Sequence, residues 1–251
     1  MDCPACGAPD PGTGNFCARC GAALRAAPAP VPEPPPTIVV PPIPDQKQQV
    51  ASHWHTLLVV SLMLLISLSG PSRQKRTVRQ GSRPLLYTSA IITEWVMVGV
   101  VWIGVRRRGY TIRSLAGRAW RGFDDFLLDI AIAAGTWFGF FVVAAVLAVA
   151  MGLMDRLPEL RKAIEFMSPK TLGELALFIV LGATAGLCEE IVFRGYLQRQ
   201  FAALSRSIAI GVLGSAIVFG ASHLYEGPER MIIIGVFGAI LGTTSALRKS
   251  L

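Results

Sequence analysis

Six long apolar runs constrain this chain more than anything else in it, because a backbone inside a bilayer has no water to bond and must satisfy its own N–H and C=O groups. They lie at about 54–70, 84–105, 126–154, 172–193, 207–223 and 231–247. Each reaches the ~17–25 residues that a spanning helix needs and exceeds the ~9–11 of a spanning strand. The expected fold is therefore an all-α polytopic membrane protein with about six transmembrane helices. Composition agrees, with 52% hydrophobic and only 16% charged residues, against roughly 25% charged in an ordinary soluble domain. The net charge of +8 matches the basic excess of cytoplasmic membrane loops and does not call for nucleic acid as a partner. The bilayer itself is the partner this composition implies.

The fourth run breaks its own rule. Leu175 to Leu187 carries no charge, and then Glu189, Glu190 and Arg194 follow in or at the end of the same helix. An acidic side chain near the centre of a spanning helix costs about 2.5–3.5 kcal/mol, and such groups usually line a polar cavity or a reaction site. At 3.6 residues per turn Glu190 and Arg194 share a face, while Glu189 points about 100° away. One carboxylate is neutralised and its neighbour stays free, which is the arrangement of a general base beside a supporting ion pair. The alternative is a purely structural ion pair between helices.

A second polar site closes the fifth run, where Phe219 and His223 stand four apart on one helix face. The connection of about a dozen residues after Arg194 makes the fourth and fifth helices antiparallel neighbours, so the carboxylates and His223 can meet. Small residues at packing spacing, Gly182 with Gly186 and Gly238 with Gly242, allow close helix approach; the first pair is expected to bring a neighbour near Glu189. His53 and His55 lie on different faces beside Trp54 and read as interfacial polarity. Cys188 has no apparent basic partner and reads as a small buried residue.

At the other end, Cys3-Pro-Ala-Cys6 and Cys17-Ala-Arg-Cys20 form two knuckles, each followed by glycine. Four thiolates at this spacing suit one tetrahedral zinc, in a ribbon spanning residues 1–24 whose folding energy comes mostly from the metal. A redox or disulfide pair is the competing reading, but reduced thiolates fit a reducing compartment. No basic and apolar leader precedes Cys3, so the ribbon is expected to stay cytoplasmic. Residues 25–52 form a proline-rich linker, with nine of the 17 prolines between Pro28 and Pro44. Such a tract favours extended polyproline II and tethers the ribbon without packing it.

With the N-terminus inside, Arg106, Arg107, Arg108, Arg113, Arg118, Arg121, Arg199, Arg206, Arg248 and Lys249 fall on the cytoplasmic side, as the positive-inside rule expects. Arg73, Lys75, Arg76, Arg79 and Arg83 fall outside and disagree. Segment 155–170 alternates charge with Leu157, Leu160, Ile164 and Phe166, and reads either as an amphipathic surface helix or as a solvated connector.

Glu189-Glu190-x-x-x-Arg194, followed by Phe219-x-x-x-His223, resembles the CPBP family of intramembrane proteases, which includes the type II CAAX prenyl endopeptidases and the abortive-infection proteins. The resemblance covers about residues 53–251. It implies hydrolysis of peptide bonds in membrane-associated substrates, prenylated ones among them, in a bacterial-type inner or plasma membrane. Glu189 and His223 would activate the water, Glu190 and Arg194 would support them, and Phe219 would pack by the histidine. The family is named for a metal, but a catalytic zinc normally takes three protein ligands. The site offers Glu189, Glu190 and His223, so the expectation is a glutamate-activated water, with zinc confined to Cys3, Cys6, Cys17 and Cys20. A later His-x-x-x-Asn or Asp motif is absent before Leu251. Because one lost oxyanion donor costs about 100- to 1,000-fold in rate, residues 1–251 are expected to be a C-terminally incomplete protease, weak or inactive alone. The alternative function is a non-catalytic membrane sensor or immunity-type protein whose ribbon binds a protein partner.

Overall fold

A computed structural model describes residues 2–9, 14–24, 45–80, 82–117 and 122–248. The proline tract from Pro28 to Pro44, together with Arg118, Arg121 and Lys249, lies outside them. The chain divides into two units, Met1–Val40 and Pro41–Leu251.

In the first unit the two knuckles fold alike. The N–H of Gly7 donates to Cys3 O and that of Gly21 to Cys17 O, each at 2.8 Å. Cys3 N–H likewise donates to Ala8 O, and Cys17 N–H to Ala22 O, both at 2.8 Å. Both turns need a left-handed residue, supplied by Gly7 at φ +67° and Gly21 at φ +72°, a conformation that costs glycine nothing.

The regular elements of the second unit are helices among its described residues. It comprises α1 (His53–Gln80), α2 (Arg83–Arg106), the short α3 (Ile112–Leu115), α4 (Phe123–Ala150), α5 (Leu157–Met167), α6 (Leu172–Glu189), α7 (Gln198–Ser205), α8 (Ile208–Ser222) and α9 (Pro228–Arg248). A π-helical segment, Glu190–Leu197, joins α6 to α7, so one continuous rod runs from Leu172 to Ser205. The rod starts on a capping arrangement written in the sequence: Thr171 accepts from Glu174 N–H at 3.2 Å, and the Glu174 carboxylate accepts from Lys170 N–H at 2.6 Å.

Among the described residues, five helices are long and apolar enough to cross a membrane: the first part of α1, α2, α4, the rod and α9. This is an integral membrane protein. The fifth expected span is shorter than its neighbours. Helix α8 has 15 residues, about 22 Å at 1.5 Å per residue against a hydrocarbon core of about 30 Å. The stretch after Gly70, expected as a loop, continues α1 as helix to Gln80. Segment 155–170 contains α5, with Arg161 and Glu165 paired at 3.1 Å on its exposed face.

Packing separates the two glycine pairs. A Cβ at Gly238 would meet the Phe219 ring at 2.8 Å, and one at Gly242 would meet Gln198 Oε1 at 2.8 Å, so this pair lets α9 close on α8 and the rod. Gly182 and Gly186 have nothing within 4 Å of an added Cβ. The neighbour expected there does not come; α6 packs against α2 through its Thr184 and Cys188 side, and the glycines face away.

His55 also departs from its expected interfacial place. Its Nδ1 lies 2.7 Å from the Tyr196 hydroxyl and its Nε2 lies 2.9 Å from Val100 O. The ring presses so closely on Gly104 that an added Cβ there would collide with it. Beside it Gln200 accepts from Val50 and Ala51 N–H at 2.8 and 3.2 Å and donates to Ala51 O at 3.0 Å and Thr56 Oγ1 at 2.6 Å. This buried polar network locks the start of α1 onto the rod and α2.

Candidate active site

The site is built where the rod changes its winding. In the π segment the N–H of Gln198 donates to Phe193 O, and Ser215 Oγ of α8 donates to the same carbonyl at 2.8 Å. π-Helical segments inside α-helices are frequent at functional sites, because they rotate the side chains that follow relative to those before. Ile191, Val192, Phe193, Tyr196 and Leu197 are all buried, so every face of the segment meets protein.

Arg194 is 2% exposed. Its Nη1 stands 3.1 Å from Glu190 Oε1, and its guanidinium carbon lies 4.8 Å over the Phe219 ring. The ion pair is close without being aligned as a hydrogen bond, and both amino nitrogens keep free donors among the described residues. Phe219 also meets Phe193 edge-on at 4.6 Å and His223 at 5.1 Å. The ring thus links the two motifs: cation on one side, imidazole on the other.

Glu189 is half-buried and makes no hydrogen bond or ion pair among the described residues. It lies within the electrostatic reach of Glu94, His223, Arg194 and Glu190. Of the two adjacent carboxylates, therefore, Glu190 is held by the cation and Glu189 is left free to accept a proton. Cys188 beside it is fully buried.

The two partly buried histidines differ in what they have left to offer. A carbonyl oxygen can only accept, so Nδ1 of His223, 2.9 Å from Phe219 O, carries the hydrogen and donates it. In the neutral ring Nε2 is then the bare nitrogen, and it has no partner among the described residues. In His55 Nε2 donates to Val100 O, and Nδ1 accepts from Tyr196, so neither nitrogen is left for chemistry. Ser222 Oγ also lies 3.1 Å from His223 Nδ1, and the Tyr225 ring stacks on the imidazole at 6.0 Å.

Glu94 was not singled out by the sequence, although it is the one charged residue between Arg83 and Arg106 in an apolar span. That isolation is itself the signal of a functional position. A small cleft on the rod is lined by Gln46, Arg194, Gln198, Arg199, Ala202, Ile208 and Ser245. It touches Arg194 but neither Glu189 nor His223.

In the ribbon, Cys3 and Cys20 Sγ are 3.8 Å apart, as are Cys6 and Cys17 Sγ. All four sulfurs lie within 4.8 Å of one another. Bonds of about 2.3 Å to a tetrahedral zinc would place sulfurs about 3.8 Å apart, so the thiols fit a metal ion. The Cys17 thiol is drawn down from 9.0 to about 7, first by the backbone N–H of Arg19 and then by that of Cys20.

Residues 171–251 match the family model described as type II CAAX prenyl endopeptidase, Rce1-like. The matched segment contains Glu189, Glu190, Arg194, Phe219 and His223. No curated protein and no solved structure matches the chain.

Proposed function

We propose that residues 53–251 form an intramembrane endopeptidase that hydrolyses membrane-associated peptides, prenylated ones among them, with Glu189 as general base and His223 as its partner. One observation carries the reading: Glu190 is neutralised by Arg194, while its neighbour Glu189 keeps an unpaired carboxylate within reach of a histidine whose Nε2 is bare. Family membership of segment 171–251 supports the reaction class.

The chemistry follows from these atoms. Glu189 takes a proton from water as the water oxygen attacks the scissile carbonyl carbon. Negative charge then develops on the carbonyl oxygen, where protein donors and cations lower the barrier most. Collapse of the tetrahedral intermediate breaks the C–N bond, and the departing nitrogen takes the proton that Glu189 removed from water, handed over directly or relayed through the bare Nε2 of His223. Glu190 and Arg194 hold the rod's geometry and field, and Phe219 fixes the imidazole.

The test uses the full chain in lipid nanodiscs with a membrane-anchored peptide. Glu189→Gln and His223→Ala each abolish turnover while the protein stays folded. Wild-type turnover in either variant removes that residue from its role.

The ribbon, residues 1–24, binds one structural zinc through Cys3, Cys6, Cys17 and Cys20 and sits on the cytoplasmic side at the end of the linker, residues 25–52, available to a protein partner. Metal analysis should give about one zinc per chain and none after Cys17→Ser with Cys20→Ser; zinc retained in that variant places the metal elsewhere.

A further inference from the structure

Glu94 is a carboxyl group in the membrane core that the proposed chemistry does not use. Its position follows from the register of α2 against α6. Arg83 pairs with Glu174 at 3.8 Å, and the Tyr87 ring meets Phe178 at 5.6 Å. The separation in sequence is the same in both contacts, so the two helices run parallel without slippage. Further along, Met97, Val98 and Val101 of α2 share one buried cluster with Cys188, Ile191 and Val192. Carried through this register, Glu94 stands level with Ala185, about one turn or ~6 Å of rise before Glu189. Ala185 and Glu189 are four apart and share a face of α6. Glu94, half-buried like Glu189, has no hydrogen bond or ion pair among the described residues.

Cys188 and Glu189, adjacent on the rod, and Tyr225 beyond α8 lie within electrostatic reach of Glu94. The charged and titratable groups around the pair are Cys188, Glu190 and Arg194 on the rod, with His223, Tyr225 and Glu226 beyond α8. Arg194, the cation within electrostatic reach of Glu189, is engaged by Glu190.

We infer that Glu94 is a positioning residue for Glu189, the two carboxyls forming a coupled pair across α2 and α6 that holds one proton between them. Two like charges facing each other in a poorly solvated site do not both ionise readily, so the pair titrates as a unit. Glu94 sets the charge that Glu189 carries when a water reaches it. The kinetic part of this inference rests on the reading of Glu189 as base; the pairing does not.

The pairing is tested by infrared titration of the protonated-carboxyl C=O band in the full chain in nanodiscs. Wild type, Glu94→Gln and Glu189→Gln are compared. Removing either member takes away a like charge, so in each variant the remaining carboxyl loses its proton at a lower pH than in the wild-type pair. A carboxyl that titrates unchanged when its partner is replaced overturns the pairing. The kinetic consequence is read from peptide hydrolysis against pH. In Glu94→Gln the acidic limb moves to lower pH at unchanged KM, and Glu94→Asp restores the wild-type limb. An unmoved limb in Glu94→Gln overturns the role of Glu94. Absence of turnover in every protein, wild type included, overturns the peptidase reading and leaves the infrared result to decide the pairing.

Discussion

Helix α4 and the rod from Leu172 to Ser205 are both long apolar spans, and they are used in opposite ways. No residue of α4 is buried. It is held to α9 at few points, by Trp137 and Phe140 against Phe237 at 5.0 and 4.2 Å and by the Asp129–Arg248 ion pair. The rod turns inward from Cys188 to Gln200 and buries Arg194, Gln198, Arg199 and Gln200 among apolar side chains. Hydropathy says only that a segment can cross the bilayer. The polar exceptions within it say whether lipid or protein surrounds it, because each buried polar group needs a partner that lipid cannot supply.

The comparison can be broken most directly at Arg194. Arg194→Ala leaves Glu190 as an uncompensated, largely buried charge, a loss of about 3–5 kcal/mol, seen as a lowered unfolding temperature in detergent. Arg248→Ala, cutting the ion pair to the lipid-facing α4, should cost clearly less. Equal costs would mean that the two helices are held alike.

Glycines sharpen the same contrast on a smaller scale. A Cβ at Gly220 would stand 2.6 Å from Met231 O and 3.1 Å from Gly235 Cα, whereas Gly139 on α4 has nothing within 4 Å. Gly220→Ala should therefore destabilise by about 1–3 kcal/mol through overpacking. Gly139→Ala should be neutral or stabilise by up to about 1 kcal/mol through helix propensity. Matching effects in thermal unfolding would show that α4 is packed after all.

What the sequence made legible was local. Glu190 and Arg194 pair because they are four apart on one rod, and the thiols of Cys3, Cys6, Cys17 and Cys20 converge because each knuckle folds on itself. What stayed hidden depends on partners far along the chain. His55 reads as interfacial until Tyr196 and Val100 occupy both its nitrogens. The π turn depends on a hydroxyl from α8, Ser215, reaching Phe193 O. Glu94 stands out in the sequence as a lone charge in an apolar span, but its place near Glu189 emerges only from the register of α2 against α6. Gly182 and Gly186 have the spacing of a packing face, but the neighbour passes on the other side.

If Glu190 serves structure and Glu189 chemistry, measuring Glu189→Gln and Glu190→Gln side by side separates the two roles. Each protein is assayed for hydrolysis of a membrane-anchored peptide and for unfolding temperature in the same nanodiscs. The account predicts that Glu189→Gln abolishes turnover with an unchanged unfolding temperature, while Glu190→Gln, which leaves the buried Arg194 cation without its counter-ion, lowers the unfolding temperature. Turnover retained by Glu189→Gln, or lost on Glu190→Gln without any loss of stability, would contradict it.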